Sequence, residues 1–278
     1  MKNLLYLMVV FALMMTASCK EPTNHGRLEI QVDYEVNGQS LVTNTLDYVN
    51  EAGNHFLVTE IQWFLSNFEF QDAKGTWIAL DQIAYIDTNI PESQTIQLAD
   101  IPVGTYQKIR FTFGLDEIDN QTGRFPNPPE SNMFWPEPLG GGYHYMKLNG
   151  KYQNENEELA PMNIHLGIGQ NEDFTQFYQN YFTVELPIEL NVKADAESRL
   201  DLTMVIDNWF RNPHTYDILH FGSAIMQNQE AQQLLKENGH DVFRVSSETS
   251  SLEEAAQAIV GFFQKASPKP HFYSIKKS

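Results

Sequence analysis

From Leu28 to Val36 every second residue is apolar: Leu28, Ile30, Val32, Tyr34 and Val36 alternate with Glu29, Gln31, Asp33 and Glu35. Successive side chains of an extended strand point to opposite faces, so the pattern fits a half-buried strand with an acidic outer face. Segments of this kind return along the chain. Between His55 and Phe70, Ile61, Trp63 and Leu65 hold one parity and Phe68 and Phe70 the other, and the switch at Ser66-Asn67 predicts a bulge or bend. Further strands are expected at Trp77 to Leu80, Ile83 to Ile86, Thr95 to Leu98, Tyr106 to Phe113, Tyr143 to Leu148, Asn163 to Ile168, Phe182 to Leu190 and Leu200 to Val205. Gly75, Pro91, Pro102 to Gly104 and Pro187 punctuate them. Proline has no N–H to donate, so Pro187 demotes its segment toward an edge or a bulge. So many short strands between turn residues predict a mainly β chain, an antiparallel β-sandwich of immunoglobulin-like or jelly-roll type.

Residues 114–142 interrupt the strands with a long Pro/Gly-rich connection, and Phe125, Phe134 and Trp135 predict that it is ordered. After Asp207 the chain changes character. Ile218, Phe221, Ile225, Ala231, Leu234 and Leu235 have helical spacing up to Lys236, closing at Asn238-Gly239, and a second helix is expected from Ser251 to about Gln264. These two C-terminal helices, spanning about 216–266, are too short to fold alone, so residues 28–278 read as one domain with the helices against the sandwich.

The 278 residues include 36 acidic and 18 basic side chains, a formal charge of -18 with histidine neutral. Such a field repels nucleic acid and anionic lipid surfaces and favours cationic partners. Residues 1–18 read as a targeting segment: Lys2 supplies a positive start, Leu4 to Met15 an apolar run, and Thr16 to Ser18 small residues. The run is shorter than the roughly 20 apolar residues of a spanning helix. Cys19 is the single cysteine, which excludes an intramolecular disulfide, and its place after small residues looks like a lipobox. The expectation is a protein lipidated at Cys19, with residues 19–27 as tether, attached to the outer membrane by its lipid and facing the periplasm or the cell surface.

No phosphate-binding glycine loop, Gly-x-Ser-x-Gly elbow or His-Glu-x-x-His is present, and no acid-base pair is readable at a defined spacing, so no enzyme is expected. Histidine, methionine, tryptophan and carboxylates remain. Alternation from Tyr143 to Leu148 puts His144 and Met146 on one face. An antiparallel partner joined through a turn at Asn154 to Glu157 would set Met146 across from His165. Two imidazoles and a thioether on one patch suit copper better than calcium or magnesium. The competing reading has His144 and His165 as hydrogen-bonded half-buried histidines and Met146 as a core residue.

Phe113-Gly114-Leu115, Met133-Phe134-Trp135-Pro136, Gly142-Tyr143 leading to Met146-Lys147-Leu148-x-Gly150, His165-x-Gly167, Asn208-Trp209 and the 238–243 segment occur in an order that resembles the MbnP family of copper-associated periplasmic or lipid-anchored proteins. The resemblance implies a mostly β domain and a partner that is a dihaem enzyme of the cytochrome c peroxidase type. It also implies a tryptophan oxidised to kynurenine that joins histidines in binding copper. His165 and Trp135 are the positions it designates, while Trp63, Trp77 and Trp209 compete with Trp135 for the modification. The alternative function is a non-metal module that presents Phe134, Trp135, Tyr143 and Tyr145 to a glycan or a partner protein.

Overall fold

The computed structural model describes residues 24–247 except 47 and 195. The expected leader, Cys19 and the helix from Ser251 lie outside the described residues. Fifteen strands follow one another among the described residues: β1 (His25–Val36), β2 (Gln39–Ser40), β3 (Tyr48–Val49), β4 (His55–Asp72), β5 (Trp77–Leu80), β6 (Ala84–Asp87), β7 (Thr95–Pro102), β8 (Gly104–Phe113), β9 (Met146–Gln153), β10 (Leu159–Leu166), β11 (Gly169–Gln170), β12 (Phe177–Tyr178), β13 (Phe182–Val192), β14 (Glu197–Val205) and β15 (Phe243–Ser247). They make a mainly β sandwich, as the alternation predicts.

One sheet runs β15-β14-β1-β2, with β7 also paired to β1; a second runs β10-β9-β4-β8-β13; β11 and β12 pair with each other as a small separate ribbon. In the second sheet β4 carries β9 and then β8 along one edge, and β3, β6 and β5 along the other. The predicted parity switch is real: Asn67 has φ 53°, and the β4–β8 register shifts between Ser66 and Glu69. Pro187 lies on the outermost strand of this sheet beside a register shift that runs to Leu190. One ladder departs from antiparallel pairing, since β1 and β14 run parallel from Arg27↔Glu197 to Glu35↔Val205.

The two sheets meet through aromatic side chains. Trp63 of β4 stacks on Phe243 of β15 at 5.4 Å and donates its indole N–H to the Tyr34 hydroxyl of β1 at 2.9 Å. Trp63 is therefore a core residue. Trp77 is only half-buried, on a face where the Arg110 guanidinium covers its ring at 4.1 Å.

The other parity of β4 points away from the sandwich. Phe64 is nevertheless fully buried, because the 114–142 connection folds back over it: Phe125 stacks on Phe64 at 5.3 Å, and Tyr143 meets Phe125 at 4.9 Å. The long connection is thus an ordered third layer on the outer face of the second sheet.

The single helix expected over 218–236 is two. α1 (Ile218–Phe221) ends at Gly222, whose φ of 86° suits glycine, and α2 (Gln229–Asn238) begins where the Asn228 side chain accepts from the Ala231 N–H at 3.0 Å. Helical periodicity in apolar residues does not register such a break.

Replacing Trp63 by alanine removes the stacking and the bond to Tyr34 together. Urea unfolding followed by circular dichroism should show a loss of about 3–5 kcal/mol, the usual cost of emptying a buried aromatic site.

Candidate metal centre

The hairpin of β9 and β10 sets the position of His165. Gln153 pairs with Leu159, so the loop contains five residues, 154–158, with Glu157 at φ 60°. An odd loop moves the register by one from the expected one: His165 faces Lys147, and Met146 faces Leu166. A slip of one residue exchanges the two faces of a strand. Met146 is consequently fully buried in the sandwich core, level with Trp63 of β4. The expectation that Met146 joins the histidines is corrected by this register.

His144 reaches His165 by another departure. β9 begins at Met146 and not at Tyr143; the chain bends at Tyr145, so the alternation that tied His144 to Met146 stops there. Residues 133–135 and 142–144 instead make a short ribbon, with Trp135 N–H donating to Gly142 O at 2.8 Å and His144 N–H to Met133 O at 2.6 Å. Gly140, Gly141 and Gly142 all have positive φ, 116°, 71° and 78°, and together they reverse the chain between the two halves. A side chain at Gly142 would also run into Asn120, whose Oδ1 would stand 2.4 Å from its Cβ.

The outcome is a compact group on the outer face of the second sheet. The rings of His144 and His165 lie 5.0 Å apart, edge to face, and Trp135 meets His144 at 4.6 Å in the same manner. Gly167 supplies the floor: a Cβ there would approach Trp135 Cε3 to 2.6 Å, so the glycine of His-x-Gly exists to admit the indole. Trp135 itself is fully buried and donates to the Leu139 carbonyl at 3.0 Å.

The hydrogen bonds of the two imidazoles differ. His144 Nδ1 lies 2.8 Å from the Met133 carbonyl, which can only accept, whereas His144 Nε2 is buried and has no hydrogen-bond partner among the described residues. His165 Nε2 lies 2.8 Å from Asn149 Oδ1. The Lys147 ammonium stands nearby and donates to Asn132 O at 2.5 Å. Burial disfavours the charged imidazolium, holding His144 down at about 3 and His165 at about 4, and in each case Lys147 adds to the effect. Both rings are neutral at physiological pH, the form that ligates a metal. No group of three or more His, Cys, Asp or Glu side chains capable of holding a metal occurs among the described residues. A metal here would therefore rest on two imidazole nitrogens and whatever Trp135 provides.

The other competing tryptophans are away from this pair. Trp63 spans the two sheets, Trp77 lies under Arg110, and Trp209 packs on Phe113 at 5.1 Å in the core. The aromatic recognition surface expected as the alternative is not there: Trp135, Tyr143 and Tyr145 are buried as parts of the third layer, and only Phe134, at 44% exposure, faces solvent. Sequence reasoning missed Asn149, Lys147 and Glu60, although with the correct loop length alternation alone would have put the first two on the face of His165.

A family model described as MbnP matches residues 25–229. Among solved structures, MbnP from Methylosinus trichosporium is similar with a TM-score of 0.53 and 13% sequence identity, covering 81% of this chain and 100% of that chain. At that identity the likeness is one of fold. No curated protein matches the chain.

Two outcomes test this geometry. Gly167→Ala should displace the indole, seen as a red-shifted Trp emission and a stability loss of about 1–3 kcal/mol, the cost of overpacking a filled site. The buried histidines also make stability depend on pH. Unfolded histidine titrates near 6.5, so between that value and about 4 the unfolded chain binds more protons and stability falls as pH falls. From pH 7 to pH 5 each ring should contribute a loss on the order of 1–2 kcal/mol, less for the partly exposed His165, and His144→Gln should flatten the slope of unfolding free energy against pH.

Proposed function

We infer that this chain, which belongs to the MbnP family, is an extracytoplasmic copper-binding protein whose metal donors are His144 and His165. The observation that carries this reading is the buried, unpartnered Nε2 of His144, with the His165 ring 5.0 Å away. A buried nitrogen lone pair without a hydrogen bond costs free energy, and a metal would satisfy it. Two neutral imidazoles, neither hydrogen-bonded to a carboxylate or thiolate among the described residues, fit copper, for which imidazole is a good ligand, and do not fit calcium or magnesium. Bound copper would supply a site for capture and handover of the ion.

Trp135 is the tryptophan we assign to oxidative conversion to kynurenine, because it alone of the four touches the histidine pair. A dihaem enzyme of the cytochrome c peroxidase type is the partner that the resemblance offers as oxidant. The apolar run Leu4 to Met15 and the small residues before Cys19 support export and lipid anchoring in the outer membrane, periplasmic or surface-facing. The net charge of -18 agrees with a cationic cargo, since a negative field raises the local concentration of metal ions.

Calorimetric titration of the purified chain with Cu(I) and with Cu(II) tests the reading. One equivalent should bind, and His144→Ala and His165→Ala should each weaken it by more than the about 10–100-fold that loss of a supporting hydrogen bond costs. Binding that is absent, or indifferent to both substitutions, overturns it.

A further inference from the structure

Beside His165 runs a chain of polar side chains that neither the family match nor the two-histidine site explains. Asn149 of β9 lies directly across from Glu60 of β4 in the strand register and diagonal to His165 of β10. Its Oδ1 is 2.8 Å from His165 Nε2, and its Nδ2 donates to Glu60 Oε2 at 3.2 Å. Glu60 Oε1 in turn accepts from Asn89 Nδ2 at 2.8 Å. A carboxylate can only accept, so the amide of Asn149 is held with its NH2 toward Glu60 and its oxygen toward the imidazole. An amide oxygen facing a ring nitrogen demands a proton on that nitrogen. A neutral imidazole has only one.

We propose that Asn149, oriented by Glu60, is a positioning residue that fixes His165 in the Nε2–H tautomer and so leaves Nδ1 as its metal-binding nitrogen. The inference rests on the copper reading for its purpose, though not for its geometry. It gives the two histidines complementary roles. His144 has its Nδ1 proton committed to the Met133 carbonyl and offers Nε2; His165 has its Nε2 proton committed to Asn149 and offers Nδ1. Each ligand is thus preset by a hydrogen bond on its far nitrogen, the way outer groups commonly orient metal-ligating histidine. One preset comes from backbone and the other from a side-chain relay across three strands.

Imidazole 15N spectra of the uniformly labelled chain, without metal, read the tautomer directly, with His165 assigned by comparison with His165→Gln. In the wild type His165 should carry its proton on Nε2. Asn149→Leu should populate the Nδ1–H form and weaken Cu(I) binding about 10–100-fold. The pair Glu60→Gln with Asn149→Asp moves the carboxylate next to the ring and places an amide donor behind it; it should restore both the Nε2–H signature and the affinity. A wild-type His165 protonated on Nδ1, or a tautomer unchanged by Asn149→Leu, overturns the proposal. The wild-type spectrum decides this even if a variant fails to fold. Absence of copper binding beside the expected tautomers would overturn the copper reading and leave the positioning role standing.

Discussion

The stack of Phe125 on Phe64 fastens the 114–142 connection to the outer face of the second sheet, and the candidate site exists only under that cover. An outward-facing phenylalanine in mid-strand is an unfavourable surface until something buries it. Here the connection does so, and in the same movement it brings Met133, Trp135 and His144 down beside His165. The layers have different tasks. The sandwich core, with Trp63 between Tyr34 and Phe243, makes the second sheet rigid enough to hold a register, and the third layer uses that register as a platform.

The fold was largely legible in the residues because alternation is a local signal. β1, the bulge in β4 and the edge position of Pro187 all follow from parity and from the missing N–H of proline. The short strands β2, β3, β11 and β12 have too few residues to show a period, and β15, which shares only Phe243 with the 238–243 segment, is an unexpected strand. The helix break at Gly222 depended on one residue inside an otherwise good helical spacing. The site is a different case. His144 and His165 were paired through a register wrong by one and an alternation that does not continue through Tyr145. The two errors compensate, since one exchanges the face of the partner strand and the other releases His144 from the face of Met146. Met146 had no second departure to compensate for the first, and it lies in the core. Asn149 and Glu60 carry no motif of their own. Their role is set by strand register alone.

Electrostatics at the site act at two ranges. The overall negative charge draws cations toward the molecule, yet the histidine pair sits where burial and Lys147 disfavour any added positive charge on the rings themselves. A proton is therefore a poor competitor for the lone pairs. A site that is kept neutral in this manner retains its ligands through moderate acidification, while the fold around it becomes less stable.

The parallel pairing of β1 with β14 has a mechanical consequence. β1 is gripped by β14 from Arg27 to Glu35 on one side and by β7 from His25 to Gln31 on the other. A load applied along the chain entering β1 would shear both ladders at once and could not peel them one bond at a time. A strand held on both sides in this way resists being drawn out of its sheet. The histidine pair, on the far face of the opposite sheet, is carried by other strands.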